Sequence, residues 1–265
     1  SAIIHKNANL GKNVTIGAYC VIGDNVILHD NVVLHSHVVI EGPTSIGINT
    51  EIFQFSVLGT SAQHLMFKGE LATLEIGENN IIREKVSIHR GTKIGGMKTI
   101  IGNNNFILAD CHIAHDCYVG HNNIMANGVA LGGHVNLGNN CNIGAFSAVQ
   151  QFVRLGDVVM IGAMAKVTED IIPYTIADGM PCRLRRVNTI GLQRAGFSKE
   201  EILDIRGIYK ILFKGKKEFS SRVQEAKKAI GKHNVLAANV LKFIDSANDR
   251  PICMQSKAND LKMDY

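Results

Sequence analysis

One period governs this chain. Stepping by six from Ile4 lands on Leu10, Ile16, Ile22, Leu28, Leu34, Ile40, Ile46, Ile52 and Leu58, and every landing is aliphatic. The same frame resumes at Ile76, Ile82, Ile88 and Ile94, slips by one residue near Gly95-Gly96, and restarts at Ile101. From there it runs through Ile107, Ile113, Val119, Met125, Leu131, Leu137, Ile143, Val149, Leu155, Ile161 and Val167. With about a third of positions aliphatic, ten unbroken landings arise by chance on the order of once in 10⁴–10⁵.

Neither a helix nor a simple strand has a period of six. A short parallel strand plus a turn, wound as a triangular solenoid, does. Three hexads close one coil, so residues 18 apart stack at about one strand spacing, ~4.8 Å. The aliphatic residue points inward on each flat, and Gly, Asn or Asp is expected at the corners, where other side chains resist the backbone geometry. The expected fold is therefore mainly β: a left-handed parallel β-helix of hexapeptide repeats over residues 1–187, then a small α-helical C-terminal domain over 188–265.

The frame lapses between Leu58 and Ile76, which predicts a loop over about 59–75 with roughly one coil's length extruded; such loops commonly carry binding. The Gly95-Gly96 stretch reads as a smaller bulge. Beyond Pro173 and Pro181 the pattern changes. Ser198 and Glu201 stand in capping-box spacing, followed by an apolar stripe of Ile202, Ile205, Tyr209 and Leu212. Further helical patterns span about 218–230 and 235–247, and the tail from about 249 reads as loose.

Composition narrows the function classes. At 46% apolar and 19% charged residues the chain is too apolar for disorder and long enough for one or two cores. No apolar run approaches a membrane span, and the start lacks a signal-peptide pattern. Six Cys without CxxC spacing read as reduced thiols in cytosol, with Cys111, Cys117 and Cys141 as packing residues. The net charge of +5 comes without a Lys/Arg block, which argues against nucleic acid. The cap cations, such as Arg183, Arg185, Arg186 and Lys214, read as a solvated face.

Chemistry concentrates where Asp110-Cys111-His112-Ile113-Ala114-His115-Asp116-Cys117 is followed one coil later by Gly132-Gly133-His134. Coil arithmetic stacks Gly133 on His115, His134 on Asp116, and Gln151 one coil further on. An imidazole base, a carboxylate to orient it and an unobstructed backbone N–H form a set suited to acyl transfer. Imidazole suits the base because it titrates near neutrality. His5, His29, His35, His37 and His121 read as ordinary surface residues.

Taken together, Ile88-His89-Arg90-Gly91, His112–Cys117, Gly133-His134-Val135, Gln151-Phe152 and the run from Asn188 through Gly191-Leu192, Arg194 and Gly196-Phe197-Ser198 resemble the UDP-N-acetylglucosamine O-acyltransferase family. The resemblance covers nearly the whole chain. It implies a cytoplasmic homotrimer with sites in clefts between subunits, performing the first step of lipid A synthesis. A 3-hydroxyacyl chain would pass from the phosphopantetheine of acyl carrier protein to the 3-position of a UDP-sugar, with no metal and no further cofactor, which fits the absence of a clustered Cys/His ligand motif.

Carried over by motif, His115 matches the general base, Asp116 its partner and Gly133 the oxyanion N–H. His112, His134 and Gln151 match substrate contacts, and Asn188 and Arg194 match nucleotide contacts. Gln63, His64, Met66 and Gly69 fall in the extruded loop beside the sugar. The family often has Gln-Asp-Leu-Lys there, so His64 and Met66 replace an acid and a cation. Ile190 and Ala195 also depart from the family pattern, and Gln150 stands where a His is common. Ala163 falls where the acyl slot ends, which implies a chain of 12–14 carbons.

Alternatives remain at this stage. The loop departures suit a 3-amino UDP-sugar. The related N-acyltransferase carries an extra N-terminal domain, for which hexads beginning at Ile4 leave no room. A coenzyme A-dependent hexapeptide acetyltransferase, a zinc hydratase of the carbonic anhydrase type with His112, His115 and His134 contributed by neighbouring subunits of a trimer, and a non-catalytic solenoid complete the set.

Overall fold

The structure is a computed structural model and describes residues 1–214, 217–229, 235–247 and 250–255. Its solenoid consists of very short strands, most of two residues, gathered into three parallel sheets. The first sheet begins with Ile3–Ile4, Val21–Ile22 and Val39–Ile40 and ends at Lys166–Val167. The second runs from Asn9–Leu10 to Arg154–Leu155, and the third from Thr15–Ile16 to Thr175–Asp178. Consecutive strands fall on different sheets, so the chain winds round a three-sided prism.

The register is the one the hexads dictate. Ile4 pairs with Ile22, Ile22 with Ile40, and Ile40 with Leu58. Further on, Ile113 pairs with Leu131, Leu131 with Val149 and Val149 with Val167. These frame residues fill the prism axis, and from Ile22 onward the stacked Ile and Leu side chains are almost wholly buried. Ile4 and Leu10, in the first coil, are 44% and 40% exposed because no coil covers them on one side. Ile94 is 73% exposed and does not belong to the frame.

Two insertions leave the same corner, between the first and second sheets. Leu58 pairs with Ile88, 30 residues on, so the first loop adds twelve residues to a coil of 18. That is two hexads, not the full coil expected from the sequence. Ile88 then pairs with Ile113, 25 residues on, so the Gly95-Gly96 segment is a second loop of seven extra residues. The slip of one residue in the sequence hides it, because seven is one more than a hexad.

The corners also differ from expectation. A left-handed residue recurs at each of them, often Asn or Asp, as at Asn13, Asn31, Asn49, Asp110 and Asp116, but also Tyr19, Phe55, His134 and Phe152. Most glycines that follow the inward aliphatic hold no such φ. They answer to the next coil instead: a Cβ on Gly47 would lie 2.5 Å from the Gly77 backbone. The Asn corner adds a side-chain ladder, with Asn13 donating to Asn31, Asn31 to Asn49 and Asn49 to Asn79 at 3.0–3.1 Å.

A closing strand, Arg183–Val187, runs antiparallel to Thr175–Asp178. Among the described residues four helices follow: α1 (Thr189–Arg194), α2 (Lys199–Phe213), α3 (Phe219–Ala229) and α4 (Val235–Asp245). The α2 capping box is present, with the Ser198 N–H donating to Glu201 Oε2 at 2.7 Å and the Glu201 N–H to Ser198 Oγ at 3.2 Å. Ile202, Ile205, Tyr209 and Leu212 are buried against the cap core. Helix α1 has no counterpart in the sequence reading.

The tail from 249 was expected to be loose, yet residues 250–255 pack against the last coils. Ile252 bridges Asp170, Gln255 bridges Leu184, and Cys253 is fully buried. Residues 256–265 lie outside the described chain. Arg154 ties the parts together. Its guanidinium meets the buried Asp170 carboxylate at 2.7 Å, stacks on Phe243 and donates to Ser246. All six cysteines are free and buried. Burial pushes the Cys111 thiol up to about 11 and those of Cys117 and Cys141 to about 12.

Candidate active site

The corner that emits both loops also holds the imidazole cluster. His115 and Asp116 follow the inward Ile113, and Asp116 occupies the left-handed corner position with φ 61°. That bend folds the two neighbouring side chains together: His115 Nδ1 lies 2.7 Å from Asp116 Oδ2. The Asp116 side chain is fully buried and that of His115 is 8% exposed. With Nδ1 held by a carboxylate, Nε2 is the free nitrogen, and among the described residues it has no hydrogen-bond partner.

Gly133 stacks one coil later, as 18-residue spacing requires. A Cβ built there would lie 2.7 Å from His115 Cε1 and 2.9 Å from Nε2, so the glycine leaves room for the ring. Among the described residues no acceptor takes the Gly133 N–H. His134 shares the corner geometry of Asp116, with the same φ of 61°. Its Nε2 stands 3.6 Å from Asp116 Oδ2, and its ring meets the His115 ring edge-on at 5.2 Å. Burial lowers the His134 pKa, partly offset by the Asp116 charge.

The first loop reaches this cluster through His64, whose ring meets His115 edge-on at 5.2 Å. The Met66 N–H donates to His64 Nδ1 at 3.2 Å, so the opposite nitrogen of the ring is left to donate. Gln63, Met66 and Gly69 are exposed around it. His112 sits on the strand before the corner, its Nδ1 2.8 Å from Ser87 Oγ. Burial, followed by the neighbouring His115, lowers its pKa. Gln151 is exposed on the coil after Gly133.

Three of the expected site residues lie elsewhere in the single chain. Asn188 caps α1, its Oδ1 accepting from the Gly191 N–H at 3.0 Å while its Nδ2 donates to Val158 O at 2.8 Å. Val158 is a corner residue between the second and third sheets, so Asn188 stands on a different edge of the prism from His115. Arg194, in the last turn of α1, is exposed. Ala163 is exposed at the third corner, between the third and first sheets.

Other residues enter without having been foreseen. Thr92 and Thr99 bond to Asp116 from the second loop and its return strand. Phe152 stacks on His134 at 4.4 Å. His89 is 6% exposed, with no partner at Nδ1, and meets the His112 ring at 5.2 Å. Burial first, then the neighbouring His112 and His115, lower its pKa to about 4. The stacking of Phe152 was readable from the 18-residue spacing; the loop contacts were not.

The one group of metal-capable donors within 4.8 Å of one another among the described residues is His115, Asp116 and His134. His112 lies outside that group within the single chain. His35 pairs with Glu51 at 2.7 Å, and His37 stacks between Tyr19 and Phe55.

Known proteins resemble the chain over both solenoid and cap. The family model described as UDP-N-acetylglucosamine O-acyltransferase, domain 2, matches residues 170–253, and the bacterial transferase hexapeptide model matches 7–42 and 98–133. The acyl-[acyl-carrier-protein]--UDP-N-acetylglucosamine O-acyltransferase of Akkermansia muciniphila is 46% identical over 81% of this chain and 82% of its own. That of Myxococcus xanthus is 48% identical over 66% and 68%. The crystal structure of the Moraxella catarrhalis UDP-N-acetylglucosamine O-acyltransferase superimposes with a TM-score of 0.91 at 36% identity, covering 95% of this chain and 97% of that one. Likeness of this extent, over solenoid and cap alike, places the chain in the UDP-N-acetylglucosamine O-acyltransferase family.

Proposed function

We propose that the protein transfers a 3-hydroxyacyl chain from acyl carrier protein to the 3-hydroxyl of UDP-N-acetylglucosamine, the first step of lipid A synthesis. The observation that carries the mechanism is the His115–Asp116 pair, 2.7 Å apart, with Nε2 free beside the unpartnered N–H of Gly133. His115 Nε2 takes the proton of the sugar hydroxyl as its oxygen attacks the thioester carbonyl. Asp116 holds the Nδ1 proton and stabilises the imidazolium. The carbonyl oxygen gains charge against the Gly133 N–H. Collapse of the intermediate breaks the C–S bond, and the departing carrier thiolate takes the proton back from His115.

A thioester is already activated, so the transfer needs no metal or additional cofactor; phosphopantetheine arrives with the donor. His112, His134 and Gln151 line the approach, and Gln63, His64, Met66 and Gly69 border the sugar. Asn188 and Ala163 stand on other edges of the prism and Arg194 lies on α1, which suits a homotrimer whose neighbouring subunit completes the nucleotide and acyl subsites. Apolar side chains on the outer surface, including Phe146 and Met164, support such contacts. Ala163 would then end the acyl slot at 12–14 carbons. Six free thiols suit the cytoplasm, and no helix among the described residues is long and apolar enough to cross a membrane.

A 3-amino sugar is the second reading, favoured by His64 beside His115 and the absence of a cation at Met66. Incubating the purified chain with 3-hydroxyacyl-carrier protein and each UDP-sugar, with product mass as readout, tests both. Acylated UDP-N-acetylglucosamine is the expected product. Exclusive use of the 3-amino sugar favours the second reading, and product from acetyl-coenzyme A alone contradicts both. Light scattering in solution checks the trimer at three times 28.8 kDa.

A further inference from the structure

The Asp116 carboxylate is fully buried, and the seven-residue insertion covers it. Thr92 donates to it twice, through its N–H to Oδ1 at 2.7 Å and through its hydroxyl to Oδ2 at 2.6 Å. Gly95 passes directly over the carboxylate, so that a Cβ there would lie 1.9 Å from Asp116 Cγ. Where the loop rejoins the sheet, Thr99 Oγ1 accepts the Asp116 N–H at 2.8 Å. The loop is closed on itself by the Gly95 N–H on Thr92 Oγ1 and the Met97 N–H on Thr92 O. It is tied to the first loop by the Lys93 N–H on Glu70 Oε1.

We propose that Thr92 is a positioning residue for acyl transfer: it fixes the Asp116 carboxylate so that Oδ2 meets His115 Nδ1 and leaves Nε2 free. This rests on the reading of His115 as the base. Oδ2 accepts from both Thr92 and His115, and His134 Nε2 waits 3.6 Å away. Without the hydroxyl, Oδ1 keeps the Thr92 N–H and Oδ2 keeps only His115, so the carboxylate is freer to turn toward His134. Its charge is also less compensated, so it holds the His115 proton more tightly. Among the described residues, the other titratable groups near the pair are His64 on the first loop, His134 on the next coil, His112 and the Cys117 thiol on the same coil and His89 on the previous one.

The test compares Thr92→Val with Thr92→Ser, measuring kcat and KM from pH 5 to 9 and following the His115 ring by NMR titration of the intact protein. Thr92→Val is expected to lower kcat on the order of 10- to 100-fold, as for a hydrogen bond to a charged group, with KM unchanged. The acid limb of kcat and the His115 titration should both move to higher pH, and Thr92→Ser should restore both. A Thr92→Val protein with the wild-type limb and titration, or no rescue by Ser, overturns the proposal. If Thr92→Val does not fold, Gly95→Ala presses on the same carboxylate; an unmoved His115 titration there also overturns it. A wild-type chain that makes no product contradicts the acyl-transfer reading, and the titration still decides the role of Thr92.

Discussion

Nδ1 of His115 and Oδ2 of Asp116 stand 2.7 Å apart although the two residues are neighbours in sequence. Adjacent side chains in a strand point to opposite faces; here the left-handed φ of 61° at Asp116 turns them to the same side. Asp116→Asn keeps the shape but offers the ring an amide instead of a carboxylate. The expected result is a kcat lower by about 10²–10⁴ with KM nearly unchanged and an unaltered circular dichroism spectrum.

Gly133→Ala is the smallest change that probes the groove. Its Cβ would fall 2.7 Å from His115 Cε1, so the ring or the corner must shift. Overpacking of this kind costs about 1–3 kcal/mol. The larger effect should be on turnover, because Nε2 and the oxyanion N–H lose alignment. Steady-state kinetics should show a kcat loss of at least ~10-fold alongside a modest fall in Tm.

Stability should fall on acidification, and His89 gives the sign. Its pKa is lowered from the unfolded value near 6.5 to about 4 by burial and the neighbouring His112 and His115. The unfolded chain therefore binds a proton that the folded one refuses. His89 contributes full stability above about pH 6.5 and loses it between there and pH 4. The window is worth about 3 kcal/mol, and the lowered pKa values of His112 and His134 act in the same direction. Denaturant titrations should show a shallower pH slope for His89→Gln.

Arg154 should be the residue on which cap attachment depends. Removing it leaves the fully buried Asp170 carboxylate without its 2.7 Å partner and frees Phe243 and Ser246 of α4 and its following turn. Breaking a buried pair from one side costs about 3–5 kcal/mol. Arg154→Ala should lower Tm by several degrees, and limited proteolysis should cut first in the cap.

Much of this was readable in advance because the hexad is a packing rule. Each inward aliphatic must meet the one 18 residues away, so Ile113, Leu131 and Val149 fixed where His115, Gly133 and Gln151 would stack. The same rule misled at Ile94. A template asking only for an aliphatic residue accepts any isoleucine at the sixth step, and a seven-residue insertion disguises itself as a slip of one. Read only as a smaller bulge, the Gly95-Gly96 stretch gave no sign that Thr92 would reach Asp116.

The glycines were legible as necessary but not for the right reason. The pattern shows Gly after the inward aliphatic; only the stacked coils show that a Cβ at Gly47 or Gly133 would strike the neighbour. Real corner residues include Tyr19, Phe55 and Phe152, and stacking along the ladder, as with Phe152 on His134, offsets the strain of such residues. Asn188 and Arg194 were identified by motif, and motif carries no information about which edge of the prism a residue occupies.

The most direct test is the single-turnover rate of His115→Ala with 3-hydroxyacyl-carrier protein and UDP-N-acetylglucosamine, read by product mass beside the wild type. A rate lower by about 10²–10⁴, with substrate binding and thermal unfolding unchanged, is the expected result. A variant that acylates the sugar at close to the wild-type rate would contradict the account at its centre.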